Sequence, residues 1–519
     1  MTRLLAGAAA IVLVALVPAC AVTQRDAQRV DDAPKPWVAP TPAKPTPAAK
    51  WKPDAKPKPA AKPKSAAKPK PQAKPRPKPA AKPKKKKAKP AARPINALVT
   101  VVDGDTHRRL HGARVVIGPR FGYANRRGTV WVRVKRPAAL QVRVSKPGYD
   151  TRTVRLPLHR NRRGTVRLYQ PGLQWRMFGA NPQRTNTHSR IALRPPFRRV
   201  WSRGLGSLVE FPAVVDEGVA FVANYHGHVY ALDMANGKVI WRFRPSRGKM
   251  ASSPAVVGED VVVHGMDGVV RVLDRRNGRL RWSYRTGSPI ESSPVVANGV
   301  DFFGAWNGRI YALDLRTRTL RWSFRTRQKI TSSAALHRGT LYIGDYGGRL
   351  HALSQRNGKR QFVRRVNGRV YGTPAVAGGQ VFVPSSTGNS LTAFTTSGRY
   401  LWRVRTDSYV YSSPAVWGGR VFFGSYDGRL YAVGARSGRV LWRVGAGGPV
   451  SGAATVVDGV AYVGSTRGRI TAADARTGRV LLRFPHGEYV PVSGNGRRLL
   501  LHGYSRVYAV EPVRRKARR

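Results

Sequence analysis

The sequence is poor in cysteine and in acidic residues. Cys20 is the only cysteine among 519 residues, so an intrachain disulfide is impossible and a cysteine-based zinc site is excluded. Asp and Glu number 25 against 94 Lys and Arg, which gives a formal net charge of +69. This excess favours anionic partners such as nucleic acid, anionic lipid headgroups or acidic wall polymers, without choosing among them.

Residues 1–21 have the layout of a secretory signal. One Arg precedes an apolar run from Leu4 to Val17, which is short for a membrane span, and Pro18-Ala19-Cys20 follows. The motif "VPAC" resembles a bacterial lipobox, in which the cysteine is lipidated and becomes the first mature residue. Cleavage after Ala19-Cys20-Ala21 is the alternative and would give a plainly secreted protein. Both predict export to the periplasm or the cell surface, and the lipobox adds a lipid anchor on Cys20.

Residues 22–95 form a linker rich in Lys, Pro and Ala. From Lys35 to Arg93 there are 20 basic residues and only Asp54 opposes them. A segment with so little to bury and so much like charge is predicted to be disordered, and its prolines favour an extended polyproline II conformation. It is interpreted as a spacer. A polycation that grips an anionic wall polymer or the membrane surface is the alternative.

Residues 96–170 change to short alternating strands separated by Gly, Pro and polar turns, which predicts a small β-sandwich. Gly112-Ala113 stands before one strand, Gly128 opens the next and Lys146-Pro147-Gly148-Tyr149 comes late. With these marks the segment resembles the carboxypeptidase-regulatory-like module. The resemblance implies a spacer or adhesive domain without catalysis.

Residues 171–512 contain a repeat with a large apolar anchor every 40 or 41 residues. The anchors are Trp201, Trp241, Trp282, Trp322, Phe362, Trp402, Trp442 and Leu482. A period of this length with four strand-like runs per unit predicts a β-propeller. The fold class is therefore all-β, with an eight-bladed β-propeller of four-stranded blades. The last blade is closed by both termini, because the strand around Trp201 supplies its missing outer strand. A basic tail, residues 513–519, follows.

The unit from Ser252 to Trp282 and the lead-in "WRMFGANPQRTN", Trp175 to Asn186, resemble pyrroloquinoline-quinone (PQQ) propellers. Two classes share that architecture, quinoprotein dehydrogenases and cofactor-free binding propellers such as BamB-like lipoproteins. The dehydrogenases use adjacent cysteines, a calcium site and a catalytic Asp. This chain has no cysteine after Cys20, and acidic residues such as Asp267 and Asp427 sit at turns. The sequence thus predicts no enzyme, no cofactor and no metal. A PQQ-dependent oxidoreductase remains the alternative.

The repeated Ser-Ser-Pro is explained by architecture, since the innermost strands crowd a channel and require small side chains. Residues that lead into these strands vary between units and are predicted to surround one channel mouth and bind a protein partner. They are Glu210, Lys249, Glu291, Lys329, Arg369, Tyr371, Asp407, Tyr409, Tyr411, Glu488 and Tyr489.

Arginines recur after the turn between the second and third strands and are candidate polyanion contacts. They are Arg309, Arg349, Arg429, Arg469 and Arg506. The alternative is that repeat duplication copied exposed arginines that cost the fold little, and this would produce the same pattern. The expected partner is an envelope protein, an anionic wall polymer or lipid headgroups, engaged by a monomer. Nucleic acid is disfavoured by the export signal and by the lack of aromatic interleaving.

Overall fold

The computed structural model describes residues 94–134, 139–157, 162–245, 248–489 and 491–513. The signal sequence with Cys20, the linker up to residue 93 and residues 514–519 lie outside this description. The regular structure is almost entirely β, with one 3-10 turn at Pro171–Leu173, so the predicted all-β class is confirmed. None of the helical segments in the described ranges has the length and apolar character needed to cross a membrane.

Residues 95–168, called the N-terminal β region below, contain seven strands. They are β1 (Ile95–Asp103), β2 (Arg114–Ile117), β3 (Arg120–Tyr123), β4 (Thr129–Val134), β5 (Ala139–Ser145), β6 (Arg152–Pro157) and β7 (Arg163–Leu168). One sheet has the order β4-β1-β7 and the other the order β3-β2-β5-β6. Alternating residues such as Val99, Val132, Val144 and Leu168 from both sheets form one buried apolar cluster. Period-two alternation thus provides each sheet with one buried face.

Two strands precede the repeat, β8 (Thr187–His188) and β9 (Phe197–Gly204). Seven consecutive four-strand groups and a final three-strand group follow. The first three groups are sheet 1, β10 (Val214–Asp216), β11 (Val219–Ala223), β12 (Val229–Asp233) and β13 (Val239–Phe243); sheet 2, β14 (Ala255–Val257), β15 (Asp260–His264), β16 (Val269–Asp274) and β17 (Leu280–Arg285); and sheet 3, β18 (Val295–Ala297), β19 (Val300–Gly304), β20 (Arg309–Asp314) and β21 (Thr319–Arg325). The next three are sheet 4, β22 (Ala335–His337), β23 (Thr340–Gly344), β24 (Arg349–Ser354) and β25 (Arg360–Arg365); sheet 5, β26 (Ala375–Ala377), β27 (Gln380–Ser385), β28 (Ser390–Thr395) and β29 (Tyr400–Arg405); and sheet 6, β30 (Ala415–Trp417), β31 (Arg420–Gly424), β32 (Arg429–Gly434) and β33 (Val440–Gly445). The last two are sheet 7, β34 (Thr455–Val457), β35 (Val460–Ser465), β36 (Arg469–Asp474) and β37 (Val480–Pro485); and sheet 8, β38 (Val492–Gly494), β39 (Leu499–His502) and β40 (Arg506–Pro512).

The strands of each group run as an antiparallel meander whose first strand is the shortest, and β8 pairs in parallel with β34 of sheet 7. First strands of most neighbouring sheets contact one another. The fourth strand of sheet 8 is β9, which pairs with β40 so that Ala509 stands opposite Trp201. The first strand of sheet 8, β38, also contacts β10 of sheet 1. The predicted pairing of the two ends of the repeat in one sheet is therefore observed, and the arrangement is that of a β-propeller.

The tryptophan anchors join neighbouring sheets through their outer strands. The indole Nε1 of Trp322 in sheet 3 donates to the carbonyl of Gln355 in sheet 4 over 3.1 Å. Trp201, Trp241 and Trp402 make equivalent bonds of 2.9–3.0 Å to the next sheet. Each indole lies on a turn glycine with positive φ; a Cβ on Gly358 would stand 2.6 Å from the Trp322 ring. These four anchors thus fasten their sheets to the next sheet along the chain.

The N-terminal β region is fastened to sheets 1 and 8 by buried polar contacts. The Asp105 carboxylate accepts hydrogen bonds from Gln174 at 3.0 Å and from Asn495 at 2.9 Å. Burial is the main reason that the pKa of Asp105 is raised to about 7. Arg176 pairs with Asp150 at 2.7 Å and with Asp216 at 2.8 Å. These contacts fix the region against the face of the propeller where β10 and β40 end.

Candidate functional site

One end of the central channel is crossed by the segment Trp175–His188, called the lead-in segment below. Backbone amides at the ends of five innermost strands donate to its carbonyls over 2.8–2.9 Å. The pairs are Val256 to Arg176, Leu336 to Pro182, Val376 to Gln183, Val416 to Thr185 and Val456 to Asn186. Trp175 also exchanges two 2.8 Å backbone bonds with Val215 of sheet 1. One short segment thus reaches innermost strands around the ring and closes this end.

Arg184 holds the centre of the lead-in segment and is fully buried. Its guanidinium donates to the carbonyls of Ala334 at 2.9 Å and Pro294 at 2.8 Å, and it also bonds Phe178 within the segment. Burial lowers the pKa of Arg184 to about 9, while Asp301 acts in the opposite sense. An arginine satisfied by backbone carbonyls pins the segment to sheets 3 and 4.

The opposite ends of the innermost strands carry the repeated Ser-Ser-Pro. The second serine of each repeat accepts the amide hydrogen of the equivalent residue in the preceding sheet over 2.8–3.3 Å. The bonds run from Ser253 to Ser293, Ser293 to Ser333, Ser333 to Thr373 and Thr373 to Ser413. The prediction explained the small residues at this position by crowding alone. It missed these hydrogen bonds from backbone amides to the side-chain hydroxyls of the neighbouring sheet.

The residues predicted to surround a channel mouth do lie at this second end, just before the innermost strands. The amide of Tyr225, after the second strand of sheet 1, donates to the carbonyl of Leu208, before the first strand, over 2.8 Å. Equivalent bonds join Trp306 to Pro289, Tyr346 to Lys329 and Tyr426 to Tyr409. Two loops per sheet therefore meet at one end, called the open mouth below.

Glu291 is the buried centre of one sector of the open mouth. Its carboxylate accepts hydrogen bonds from the Trp306 indole at 3.1 Å and from the Tyr371 hydroxyl. Burial raises the pKa of Glu291, and these two bonds and nearby Lys329 oppose the shift. The Lys329 ammonium lies 4.4 Å from the Trp306 ring centre and 4.2 Å from that of Tyr346. These cation–π contacts hold the cation at the rim.

A tyrosine cluster lies on the neighbouring sector of the mouth. The Tyr411 ring is 5.3 Å from Tyr371, 5.8 Å from Tyr409 and 5.2 Å from Tyr426, all edge to face. Tyr409 is 43% exposed and Tyr426 is 36% exposed. Clustered tyrosines with accessible edges are typical of protein-binding surfaces, because their rings are rigid and their hydroxyls can bond a partner.

The other predicted mouth residues have separate contacts. Glu210 lies near Glu291, and burial together with that neighbour raises its pKa to about 8. The Lys249 ammonium lies 4.7 Å from the Tyr225 ring, and Arg369 lies 5.3 Å from that of Tyr346. In sheet 8 the Glu488 amide donates to the His502 carbonyl over 2.9 Å, and Tyr489, next in the chain, has a φ of 51°.

The five candidate polyanion arginines begin the third strands of their sheets on this same face. Three of them already have side-chain partners. Arg429 pairs with Asp407 at 2.6 Å, and Arg309 and Arg506 donate to Ser323 and Ser202 at 3.0 and 3.2 Å. Arg349 is half-buried and Arg469 is exposed. The mouth thus carries positive charge, partly neutralised at sheet 6.

An open pocket of about 530 Å³ lies beside the Glu291 sector, between the mouth loops of sheet 3. It is lined by Trp306, Asn307, Arg325, Thr326, Arg327, Gln328 and Lys329. Arg325 and Arg327 are exposed, and no acidic side chain lines the pocket. This pocket can receive a carboxylate or another small anion.

Sequence reasoning found the residues before the innermost strands but missed those after the second strands. At this position residues recur every 40 along the chain. They are Met266, Trp306, Tyr346, Ser386, Tyr426 and Thr466. The period itself was the available signal, because residues in register around a propeller share one face.

Buried histidines form structural contacts away from the mouth surface. His264 and Asp301 are fully buried and 2.8 Å apart, and His264 Nδ1 is 2.6 Å from the Ser292 carbonyl. Facing a carbonyl, Nδ1 must carry a hydrogen, so the ring is locked in orientation. Across the described residues, no three His, Cys, Asp or Glu side chains are grouped to hold a metal ion.

The repeated four-stranded sheets, the tryptophan anchors and the closed and open channel ends define a PQQ-like repeat propeller. A family model described as outer membrane protein assembly factor BamB matches residues 162–303, 306–410 and 389–512. These matches cover well over half of the chain, and the chain belongs to this family.

Curated relatives of both functional classes match shorter segments. The chain is similar to a BamB of Bordetella pertussis, 27% identical over 105 residues that cover 20% of this chain and 27% of the relative. It is also similar to 1-butanol dehydrogenase (cytochrome c) of Thauera butanivorans, 30% identical over 166 residues that cover 26% of this chain and 24% of the relative. The matched segments span about a quarter of these relatives.

Solved structures of both classes share the fold. BamB from Moraxella catarrhalis superimposes with a TM-score of 0.53 at 19% identity, covering 62% of this chain and 99% of that one. Quinohemoprotein alcohol dehydrogenase from Comamonas testosteroni gives 0.56 at 15% identity, covering 67% and 82%. At such identities the likeness shows the fold alone.

The residues of the open mouth do not fit PQQ and its calcium ion. Among the described residues no three His, Cys, Asp or Glu side chains are grouped to hold a metal ion, and Glu291 is already bonded by Tyr371 and Trp306. A calcium ion needs several converging oxygen ligands. The chain's one cysteine, Cys20, cannot form a vicinal disulfide.

Proposed function

We propose that this protein is an exported, non-catalytic scaffold of the bacterial cell envelope that binds a protein partner at the open mouth. The carrying observation is the tyrosine cluster of Tyr371, Tyr409, Tyr411 and Tyr426, exposed at the end of the channel that the lead-in segment leaves open. Aromatic anchors surrounded by polar residues are the usual composition of an interface centre. BamB relatives support a scaffold role, since they are described as assembly factors.

The same proposal includes the finer organisation. The eight sheets are the eight blades of a closed ring, and the N-terminal β region is a carboxypeptidase-regulatory-like sandwich. A linker rich in Lys, Pro and Ala joins it to a lipid anchor on Cys20 outside the cytoplasm, and the protein works as a monomer without PQQ or metal. Observations in support are the β9–β40 pairing and the two-sheet core of the β region.

The chemistry of the mouth specifies the partner further. Next to the tyrosines lies the pocket with Arg325, Arg327 and Lys329, which has no acidic lining residue. A protein segment that places a Glu or Asp in this pocket and packs apolar side chains on the tyrosines would satisfy both sectors. We therefore propose that the partner is an envelope protein that presents an acidic, partly apolar segment.

The test is a crosslinking pulldown from native envelopes, followed by binding of the purified candidate partner. We would compare the intact protein, a version lacking residues 34–94, and the triple variant Tyr409→Ser, Tyr411→Ser, Tyr426→Ser. Tyr400→Ser is the matched control, because Tyr400 is 54% exposed but lies on the outer strand of sheet 5. We expect one defined partner to be captured by the intact, linker-less and control proteins and lost from the triple variant.

Two results would overturn the proposal. Undiminished capture by the triple variant would remove the tyrosine cluster from the interface. The second is recovery of anionic polymer or lipid alone, in amounts that fall when the linker is removed or salt is added. This would mean that the protein binds through its basic charge and that the propeller has no binding role of its own. Dye-linked alcohol oxidation after incubation with PQQ and calcium would instead support the oxidoreductase alternative. The similarity to a 1-butanol dehydrogenase is the reason to test it.

A further inference from the structure

A pocket of about 260 Å³ lies at the junction between the N-terminal β region and the propeller, and it is called the junction pocket below. The β region lines it with the turn after β1 and the end of β7. Sheet 1 contributes two of its turns, and sheet 8 contributes the turn between β38 and β39. Cavities at the boundary between folded regions are preferred sites for small ligands. The proposed scaffold role makes no use of this pocket.

Basic side chains form one wall of the junction pocket. They are His107 in the turn after β1, Arg167 on β7, and Arg497 and Arg498 in the turn before β39. Burial lowers the pKa of His107, the three arginines lower it further, and Asp103 opposes them. The imidazole is therefore subject to a net positive field from the side chains around it.

The positive charge of this basic wall is not balanced by its ion pairs. A single carboxylate, that of Glu511, pairs with Arg498 and Arg198 at 2.7 Å each and with Arg497 at 3.0 Å. Three guanidinium groups thus share one negative charge. Arg167 is exposed, and it takes part in none of the ion pairs between described residues. The wall therefore has donors and charge available for an anion.

The acidic residues that line the junction pocket are already bonded. Glu217 pairs with Arg152 at 3.2 Å and with Arg275 at 2.9 Å, and neither of these arginines lines the pocket. Asp233 caps its own turn by accepting a backbone amide at 2.7 Å. The Asp105 carboxyl is held by two side-chain amides, and its pKa of about 7 leaves it partly protonated at neutral pH. The charge that remains uncommitted in the pocket is therefore positive.

Sheet 1 supplies an apolar part of the pocket lining. Met234 is buried there, whereas the Ile240 side chain on β13 is 50% exposed. Tyr169 lines the pocket between two glycines: a Cβ on Gly104 would stand 2.2 Å from its ring, and a Cβ on Gly218 would stand 2.9 Å from its hydroxyl. The exposed isoleucine can cover the carbon portion of a ligand whose charged group lies on the basic wall.

We propose that the junction pocket binds a small organic phosphate, with the phosphate group on the basic wall and the carbon portion against Ile240 and Met234. Donors on three different elements, His107, Arg167 and Arg497, can each contact a different oxygen of a tetrahedral phosphate. A planar carboxylate offers only two oxygens and would leave one donor without a partner. Because the lining comes from both the β region and the propeller, the bound ligand would bridge them.

The test is isothermal titration calorimetry of the full chain with phenyl phosphate, inorganic phosphate and benzoate at constant ionic strength. We expect phenyl phosphate to saturate a single site and to bind more tightly than the other two. The double variant His107→Ala, Arg167→Gln should bind it about tenfold or more weakly, because two hydrogen bonds to an anion are lost. Arg163→Gln is the matched control and should stay within about twofold, since Arg163 is exposed on the same face of β7 but does not line the pocket. Thermal melting checks that each variant is folded.

The apolar part of the proposal is tested separately. Ile240→Ser should weaken phenyl phosphate binding about threefold or more and leave the affinity for inorganic phosphate within about twofold, because only the phenyl ring loses a contact. Leu280→Ser is the control, since Leu280 is 47% exposed on β17 of sheet 2 and does not line the pocket. Equal affinities of the Ile240→Ser and Leu280→Ser proteins for phenyl phosphate would overturn the placement of the carbon portion.

A second measurement reports on His107 directly. A phosphate next to the imidazole favours its protonated form, so the pKa of His107, which is lowered in the free protein, should rise when phenyl phosphate saturates the site. Nuclear magnetic resonance follows the imidazole, and His107→Ala identifies its signal. The same rise is expected in the Arg163→Gln protein.

Several results would overturn the proposal. They are an absence of binding to the unsubstituted protein, equal weakening by Arg163→Gln, and an unchanged pKa of His107 at saturation. Benzoate that binds as tightly as phenyl phosphate would assign the pocket to carboxylates instead. Binding that is lost when residues 34–94 are removed would assign it to the basic linker. The open mouth takes no part in these assays, so their outcome is independent of the proposed scaffold role.

Discussion

The two ends of the propeller channel are built from the same innermost strands but differ in how their polar groups are bonded. At the closed end, backbone carbonyls of the lead-in segment receive the strand amides, and Arg184 is buried with carbonyl partners. At the open mouth, Trp306 bonds Glu291 and lies under Lys329, and Tyr411 packs on Tyr409, which is 43% exposed. At the closed end the polar groups are hydrogen-bonded within the chain, whereas at the open mouth several side chains stay accessible to a partner.

This difference teaches where stability and recognition are separated in a repeat protein. Backbone bonds at the closed end do not depend on side-chain identity, so the fold is secured there without constraining the mouth. Loops before the innermost strands can then vary from sheet to sheet, as Glu210, Lys249 and Tyr411 show. Substitution of Arg184, the buried side chain that pins the closed end, should damage stability, whereas substitutions at the mouth should damage binding only.

The largest expected effect is at the closed end. Arg184→Leu leaves the carbonyls of Ala334 and Pro294 buried without a donor, so the free energy of unfolding should fall by about 4 kcal/mol. Urea denaturation followed by tryptophan fluorescence measures it. Arg279→Leu is the control, since Arg279 is exposed, and it should change the value by less than about 0.5 kcal/mol. Equal losses in both variants would mean that the lead-in segment is not a structural closure.

The junction beside the closed end should respond to pH through Asp105. A carboxyl with a folded-state pKa of about 7 and an unfolded value of 3.8 stabilises fully below 3.8, and this contribution is lost as pH rises through 7. The loss between pH 5 and pH 8 should be about 2–3 kcal/mol. Asp105→Asn, which cannot ionise, should remove this share of the slope in urea titrations at several pH values, whereas the share of Glu210, whose pKa is raised to about 8, should stay.

His502 titrates in the opposite sense and does not mimic this slope. Burial lowers its pKa to about 4, so its stabilising effect is present above its ordinary value of 6.5 and is lost as pH falls towards 4. Subtracting the Asp105→Asn profile from the unsubstituted profile cancels His502. A difference that is flat from pH 5 to pH 8 would refute the buried-carboxyl interpretation.

A smaller effect is expected at the turn between the third and fourth strands of a sheet, where the tryptophan anchor of the preceding sheet packs. In Gly358→Ala the new Cβ meets the Trp322 ring at 2.6 Å at a φ of 70°, and the free energy of unfolding should fall by about 2 kcal/mol. Gly299→Ala has a φ of 73° but no atom within 4 Å, so it should cost only about 1 kcal/mol. The gap between the two melting curves isolates the contact with tryptophan; no gap would refute it.

The smallest effect on stability is expected at the mouth. Tyr409→Ser removes a ring that is 43% exposed, so the free energy of unfolding should change by about 0.5 kcal/mol or less. Calorimetry of the variant beside the unsubstituted protein checks this. A loss as large as that of Arg184→Leu would show that the tyrosine cluster supports the fold, and the contrast between the two ends would fail.

The repeat made the fold predictable from sequence, and particular residues show why. Trp201, Trp322 and Trp402 were placed correctly on outer strands because a 40-residue period leaves few alternatives. Residues before the innermost strands were placed at one mouth by the same logic. Their binding role stays a prediction, since periodicity reports position and does not report a ligand.

Features that break the period could not be predicted. The lead-in segment occurs once, so nothing in its sequence indicated that Val256 and Val456, 200 residues apart, would both bond to it. Arg184 is one of 94 basic residues, and only the three-dimensional convergence of carbonyls distinguishes it. The contact between Asp105 and Asn495 likewise joins positions that no local pattern relates.

The pairing of β9 with β40 has a consequence for biogenesis. Gly204 stands opposite Arg506, so the ring cannot be completed until nearly the whole chain has been delivered. A chain synthesised from its N-terminus must hold β9 unpaired while about 300 residues follow, although the entropic penalty of so long a loop grows only slowly with its length. Any product shortened at its C-terminus would keep an uncovered sheet edge on which proteases and aggregation act. The closing sheet therefore forms only in a chain that already includes β40.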